Sequence, residues 1–255
     1  RRYSAVLEET VSRRTLELQE SEHQLKKSNK SKDRFFSIIA HDLRSPFNVI
    51  LGYLDLLTDK SFDFSEPEKE DILDKVKKSA HSTLGLLDNL LAWARTQKGD
   101  LKVNRTSFDI SELISENVLQ AESVAAAKEI TITNKNTTPV QVNADRDMIH
   151  TVIRNLISNA IKFTYPGGVI ELDVQVQPDK FALISVRDTG CGIPPENLPK
   201  LFSIDERLAT KGTRKESGTG LGLILCMEFI TLNDGKIWAE SEVGKGSVFY
   251  FDLKI

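Results

Sequence analysis

The sequence of 255 residues predicts an all-α helical hairpin that pairs into a dimeric four-helix bundle, followed by an α/β sandwich domain. Three observations carry that expectation. Two heptad stripes of apolar residues, at 36–57 and 73–94, stand on either side of a polar break. Near residues 98–105 the long helical periodicity gives way to short β-rich runs alternating with helical ones. Hydrophobic residues make up 40% of the chain and charged ones 28%, the balance of a globular protein with a real core.

Residues 1–34 contain no glycine or proline, and Val11, Leu18 and Leu25 recur at seven-residue spacing, with Leu7 four before the first. This predicts a coiled-coil signalling linker, weakened because the alternate seam positions are Arg14, Ser21 and Ser28. A solvated charged helix is the alternative. From 35 to 98 the pattern strengthens. Phe36, Leu43, Ile50 and Leu57 form one series, and Ala40, Phe47 and Leu54 a second. The stretch 59–67, DKSFDFSEP, breaks the helix. Beyond it Leu73, Ala80, Leu87 and Ala94 pair with Val76, Thr83 and Leu90, and Leu86 and Trp93 widen the stripe. A two-helix hairpin cannot hide both apolar faces alone, so a homodimer is expected.

The second domain is expected over 106–255. Its elements are a helix at 110–127, strands near 130–134 and 139–143, a helix at 145–163, strands at 168–176 and 181–187, and a helix at 220–232. A hairpin at 236–254 closes it, turning at Val243-Gly244-Lys245-Gly246.

The net charge of -3 argues against a nucleic-acid binder that relies on a basic surface. Cys191 and Cys226, the two cysteines, have no CxxC spacing, which suggests neither a disulfide framework nor a structural zinc site. No apolar run approaches a membrane span, and the first residues do not resemble a secretory signal. A cytoplasmic location is expected. Because the chain begins inside a helical pattern, a sensor or membrane part is expected upstream.

At 100° per residue His41 lies about 130° from the centre of its helix's seam, so it faces outward. Asp42 can hold the tautomer of its ring and accept its proton, leaving the other nitrogen to attack. Ser45 shares its face, and Pro46 favours a kink just beyond. A single surface histidine is ordinarily a solvated side chain. Here the run FFSIIAHDLRSPFNVILGYLDLL resembles the phosphoacceptor box of sensor histidine kinases, with the acidic residue after the histidine, the Leu-Arg pair and the proline five positions on. In that family the fourth residue after the histidine is usually Thr or Asn and helps dephosphorylate the partner, so Ser45 leaves that activity open. His23, His81 and His150 lack such surroundings and are expected to be structural or solvated.

Farther along, Asn155 and Asn159 are four apart on one helical face and are followed by Lys162 and Phe163. An oxygen ligand for a hard cation, a cation for phosphate and an aromatic for a base thus lie within nine residues. In SVRDTGCGIP a strand ending at Asp188 enters a loop with Gly190, Gly192 and Ile193. Asp188 can accept a hydrogen bond from an exocyclic amine, although a plain β-turn reads equally well. The run Gly218-Thr219-Gly220-Leu221-Gly222-Leu223 then opens a helix, where exposed amides attract phosphate. It follows a polar loop rather than a buried strand and lacks P-loop spacing, so neither a Rossmann turn nor a P-loop fits.

The order of these three boxes resembles the ATP-binding Bergerat or GHKL fold shared by histidine kinases, DNA gyrase, mismatch-repair ATPases and the ninety-kilodalton heat-shock chaperones. The resemblance implies ATP and Mg²⁺ as cofactors, with Asn159 the metal ligand, Asn155 its supporting amide and Lys162 facing phosphate. Asp188 looks like the adenine reader, and the glycines at 190, 192, 218, 220 and 222 line the loops with Ile193, Thr219, Leu221 and Leu223. Residues 196–217 resemble the mobile lid, with Lys211, Arg214 and Lys215 as phosphate contacts; Phe202 matches the lid's first aromatic, but LFSIDER lacks the second. Leu221 and Leu223 have core packing as their alternative role.

Together the halves imply a sensor histidine kinase core. His41, assisted by Asp42, takes the γ-phosphoryl of ATP and passes it to an aspartate of a response-regulator receiver domain. An ATP-driven clamp of the gyrase or chaperone kind and a non-catalytic nucleotide-binding scaffold are the alternatives. The clamp predicts a transducer domain after the ATP fold, where this sequence stops at Ile255.

Overall fold

A computed structural model describes residues 40, 43–59, 62, 64–97, 103–136, 138–203, 212–214 and 220–255, with 13–15, 18–22 and 26 of the amino-terminal segment. The linker positions Leu7, Val11 and Leu25, the seam residue Phe36 and the side chains of Leu86 and Trp93 lie outside the described residues. The chain divides into two compact units, residues 1–83 and 84–255.

In the first unit, helix α1 covers residues 43–58 and helix α2 begins at Glu66, in a helix spanning Glu66–Gln97. The sequence places Pro67 in the connecting break, but α2 already contains it. Ser65 supplies the reason: its amide (2.9 Å) and hydroxyl (2.6 Å) both donate to the Glu68 carboxylate, the glutamate half of a capping box, which starts the helix before the proline. A first-turn amide has no helical acceptor, so proline costs nothing there. Between the two helices Ile72 and Thr83 are buried, and the Ser79 hydroxyl donates to the Pro46 carbonyl at 3.1 Å. Leu43, Ile50 and Leu57 are half-buried, while Phe47, Leu54 and Leu73 remain open.

In the second unit, a five-stranded sheet runs in the order β2 (Thr131–Asn134), β4 (Val169–Val176), β5 (Phe181–Asp188), β7 (Gly246–Lys254), β6 (Ile237–Glu242). Only the β2 and β4 pair is parallel. Strict alternation puts Ile170 and Leu172 of β4, Ala182, Ile184 and Val186 of β5, and Phe249, Phe251 and Leu253 of β7 on the covered face. Against it lie α3 (Ile110–Ala126), α4 (Arg146–Phe163) and α5 (Gly222–Leu232), completing the sandwich.

Helix α4 sits between α3 and α5. Met148, Ile149, Val152, Ile153, Leu156, Ile157, Ala160 and Ile161 are its buried stripe. Asp145 caps its start, accepting from the Met148 amide at 3.2 Å and, with its other oxygen, from the Asn104 amide at 2.9 Å.

Each element expected after residue 106 is present within one or two residues of its expected bounds. Two further elements are not evident from periodicity. Strand β1 (Thr106–Asp109) pairs antiparallel with β3 (Gln141–Ala144), and a 3₁₀ helix covers Pro195–Lys200. β1 carries a single apolar residue, Phe108, so no alternation registers, and it exists because a strand distant in sequence pairs with it. Among the described residues, no helix is long and apolar enough to cross a membrane.

Leu156 is fully buried at the centre of α4. Leu156→Ala is expected to cost about 2–5 kcal/mol, measured by urea denaturation of the nucleotide-free protein.

Candidate nucleotide-binding site

One side of α4 is spent on the core, and the other carries Asn155, Asn159, Lys162 and Phe163, all half-buried. Among the described residues, Asn155 Nδ2 is buried without a nitrogen or oxygen partner. The first residue of α5 closes on the same amide: a Cβ added at Gly222 would lie 3.2 Å from Asn155 Oδ1. Cys226, one turn into α5, is completely buried; burial pushes its thiol up to about 12, opposed first by the Asn155 amide, for which the sulfur is only a weak acceptor, so it stays protonated. An unsatisfied buried donor is costly. What Nδ2 lacks is an oxygen acceptor, which a phosphate or a metal-bound water provides, and the neighbouring Asn159 amide oxygen suits a hard cation. The residues therefore fit magnesium nucleotide.

The end of α4 is closed by three distant segments. Buried Lys128 donates from Nζ to the carbonyls of Ile161 (2.8 Å) and Lys162 (2.9 Å). Thr213 donates its amide to Lys162 O (3.1 Å) and its hydroxyl to Thr164 O (2.9 Å). The Cys191 amide reaches Phe163 O at 3.1 Å. The Lys162 ammonium lies 4.7 Å from the centre of the Phe163 ring.

Asp188 ends β5 and is buried. Burial pushes its carboxyl above the ordinary aspartate value, opposed by the amides of Gly190 (2.8 Å) and Ser247 (3.3 Å), which both donate to Oδ1. Among the described residues no group bonds to Oδ2, which leaves that oxygen for a ligand's amine. The glycines around it answer to the protein itself. A Cβ at Gly190 would collide with the Phe163 carbonyl, and one at Gly192, where φ is +71°, with the backbone of Glu242. The loop after β5 is also tied to the β6–β7 turn, Ile193 N donating to Ser241 Oγ at 2.8 Å and Gly244 N to Cys191 O at 2.9 Å.

The structure thus gathers Asn155 with Gly222, and Asp188 with Gly190 and Phe163. Gly220 is half-buried with φ +67°, Leu221 is buried as a core residue, and Leu223 is half-buried. Arg214 is exposed and donates to the Ala127 carbonyl at 3.1 Å, at the end of α3. Ser45 is exposed on α1 in the other unit. His41, Asp42, Lys211, Lys215, Gly218, Thr219 and His23 lie outside the described residues, and the segment 196–217 is described at 196–203 and 212–214. His81 is exposed; His150 is half-buried, and burial, then Arg154 and Arg146, holds it below its ordinary value.

Sequence reasoning passed over Lys128, Thr213, Ser241 and Ser247. Nothing in its spacing marks Lys128 for burial. The two serines had a signal: they flank the glycine turn of the closing hairpin and pair across it.

Residues 144–255 match the family described as histidine kinase-, DNA gyrase B-, and HSP90-like ATPase, and residues 31–99 match the His Kinase A (phospho-acceptor) domain. The sensor histidine kinase RcsC of Escherichia coli strain K12 is 32% identical over 249 residues, covering 96% of this chain and 26% of RcsC. The chain spans about a quarter of the length of the curated relatives it matches. Among solved structures, the catalytic domain of the histidine kinase ThkA is 33% identical with a TM-score of 0.51, over 59% of this chain and 95% of that one. The complex of ThkA with the response regulator protein TrrA matches at 26% identity and a TM-score of 0.62, over 86% of this chain and 60% of that one.

Asp188→Asn keeps an Oδ1 for both amides while removing a buried charge. A raised carboxyl pKa means the folded state loses relative stability as pH rises through it. The variant is therefore expected to melt higher than wild type at pH 7, by about 2–4 °C per kcal/mol recovered, with the gap closing on acidification, while ATP binding is lost. Thermal melts across pH and calorimetric titration with ATP check both.

Proposed function

This chain belongs to the histidine kinase family, and we propose that it phosphorylates its own His41 with ATP and passes the phosphoryl group to an aspartate of a response-regulator receiver domain. One observation supports this above the rest: a nucleotide-ready helix face, with the orphaned Asn155 amide beside Asn159 and Lys162, shares a chain with the phosphoacceptor-domain match that contains His41. The complex of ThkA with the response regulator protein TrrA supports the second step.

In the proposed reaction, one imidazole nitrogen of His41 bonds to the γ-phosphorus as the bond to the β,γ-bridging oxygen breaks and ADP leaves. Asp42 holds the other ring nitrogen and accepts the proton that the ring gives up. Asn159 would hold Mg²⁺, with Asn155 as its supporting amide; when bound, the metal screens the phosphate charges. Lys162, Lys211 and Arg214 would face phosphate, Arg214 after giving up the Ala127 carbonyl. Asp188 would accept from adenine's amine, with the loops at Gly190, Gly192, Ile193, Gly218, Thr219, Gly220, Leu221, Gly222 and Leu223 around the nucleotide. Ser45, exposed one turn beyond His41, offers a hydroxyl for the reverse, water-consuming step on the partner.

The same proposal assigns 1–34 to a coiled-coil linker from an upstream sensor domain, 35–98 to dimerisation and phosphotransfer, and 106–255 to catalysis, all on the cytoplasmic side. Open Phe47, Leu54 and Leu73 support a homodimer, because a second hairpin would cover them.

Incubation with γ-labelled ATP and magnesium is expected to give acid-labile, base-stable label that disappears in His41→Gln. ATP turnover without protein labelling would overturn the kinase assignment in favour of an ATP-driven clamp. Asn159→Ala is expected to abolish labelling without unfolding, and Asn155→Ala to lower it by about 10–100-fold.

A further inference from the structure

Ser241 lies on β6, the edge strand, and outside every motif named above. Its hydroxyl nevertheless has three partners. The Ile193 amide is 2.8 Å away, the Gly246 carbonyl 2.8 Å, and the Ser247 hydroxyl 3.0 Å. A hydroxyl offers one proton and two lone pairs. An amide can only donate and a carbonyl can only accept, so Ser241 receives from Ile193 and gives its proton to Gly246. The Ser247 hydroxyl must then donate to Ser241. All three valences are filled.

Each partner belongs to a piece of the Asp188 surroundings. Ile193 ends the glycine loop that starts at Asp188. Gly246 is packed so tightly on the Asp188 backbone that a Cβ there would collide with its carbonyl oxygen. Ser247 donates its amide to Asp188 Oδ1. One side chain thus ties together both walls that hold a buried carboxylate.

We propose that Ser241 is a positioning residue for nucleotide recognition: its hydroxyl joins the loop after β5 to the β6–β7 turn and so keeps Asp188 aimed at the base. This rests on the assignment of Asp188 to the nucleotide, and not on the histidine being the acceptor. Without the hydroxyl, Ile193 N, Gly246 O and Ser247 Oγ each lose a partner, and the loop gains freedom that nucleotide binding must remove.

Calorimetric titration of wild type, Ser241→Ala and Ser241→Thr with ATP and magnesium tests this, beside thermal melts and labelling kinetics. Ser241→Ala is expected to raise the ATP Kd, and the KM for labelling, on the order of 10-fold. The labelling rate at saturating ATP should not change, because the interaction is made before the transition state. Ser241→Thr keeps the hydroxyl and is expected to bind within about 2-fold of wild type. Should Ser241→Ala not fold, Ser241→Thr against Ser241→Val makes the same comparison between side chains of one shape. An unchanged Kd on losing the hydroxyl, a threonine variant as weak as the alanine one, or a lower saturating rate at constant KM would each overturn the proposal. Wild type that binds ATP without labelling His41 would remove the kinase assignment and leave this comparison standing; wild type that binds no ATP would remove both.

Discussion

The carbonyl oxygens at the end of α4 have no acceptor role left inside the helix and must find donors elsewhere. The donors they find organise the whole nucleotide site. Lys128 comes from the segment after α3, Thr213 from the root of the proposed lid, and Cys191 from the loop that follows Asp188. Three loops far apart in sequence therefore meet at one helical turn, the turn that carries Lys162 and Phe163. Replacing any of these donors with water is not available to Lys128, whose ammonium is buried against the negative end of the helix dipole. The site's geometry is thus a by-product of satisfying a helix terminus in a dry place.

Asp188 and Asn155 pull the other way. A buried carboxylate is held by two amides on one oxygen while the other oxygen has no described protein partner, and a buried amide nitrogen has no nitrogen or oxygen partner among the described residues. Both arrangements cost stability that an apolar residue would not. Such unpaired groups mark where the fold has been left incomplete for something else to complete, one on α4 and the other at the end of β5.

The apolar periodicity was legible because it needs only local spacing. The stripe from Met148 to Ile161 announces α4, and the alternation in VIELDV and FALISV announces β4 and β5. The pairing of Asn155 with Asn159 was legible for the same reason. What could not be read was anything that depends on two segments meeting. Strand β1 is a strand only because β3 lies beside it, and Lys128 looks like any solvent-facing lysine until the end of α4 is placed over it. The resemblance puts Gly190 and Gly192 on a loop lining the nucleotide, whereas the neighbouring backbone needs them first. Pro67 reads as a helix breaker in sequence, but the Ser65 and Glu68 pair starts the helix ahead of it.

The sheet ends on β2 and β6, and these edges decide how copies of the second unit behave toward each other. β2 has four residues, and β6 has six, with Glu240 and Glu242 exposed on it. A four-residue border and a short one carrying two glutamates are poor templates for adding another strand. Neighbouring copies of this unit therefore have no long bare strand along which to zip into an extended sheet, whereas the helical hairpin carries open apolar side chains at Phe47, Leu54 and Leu73. The fold keeps its sociable surface and its chemical surface on different secondary structures.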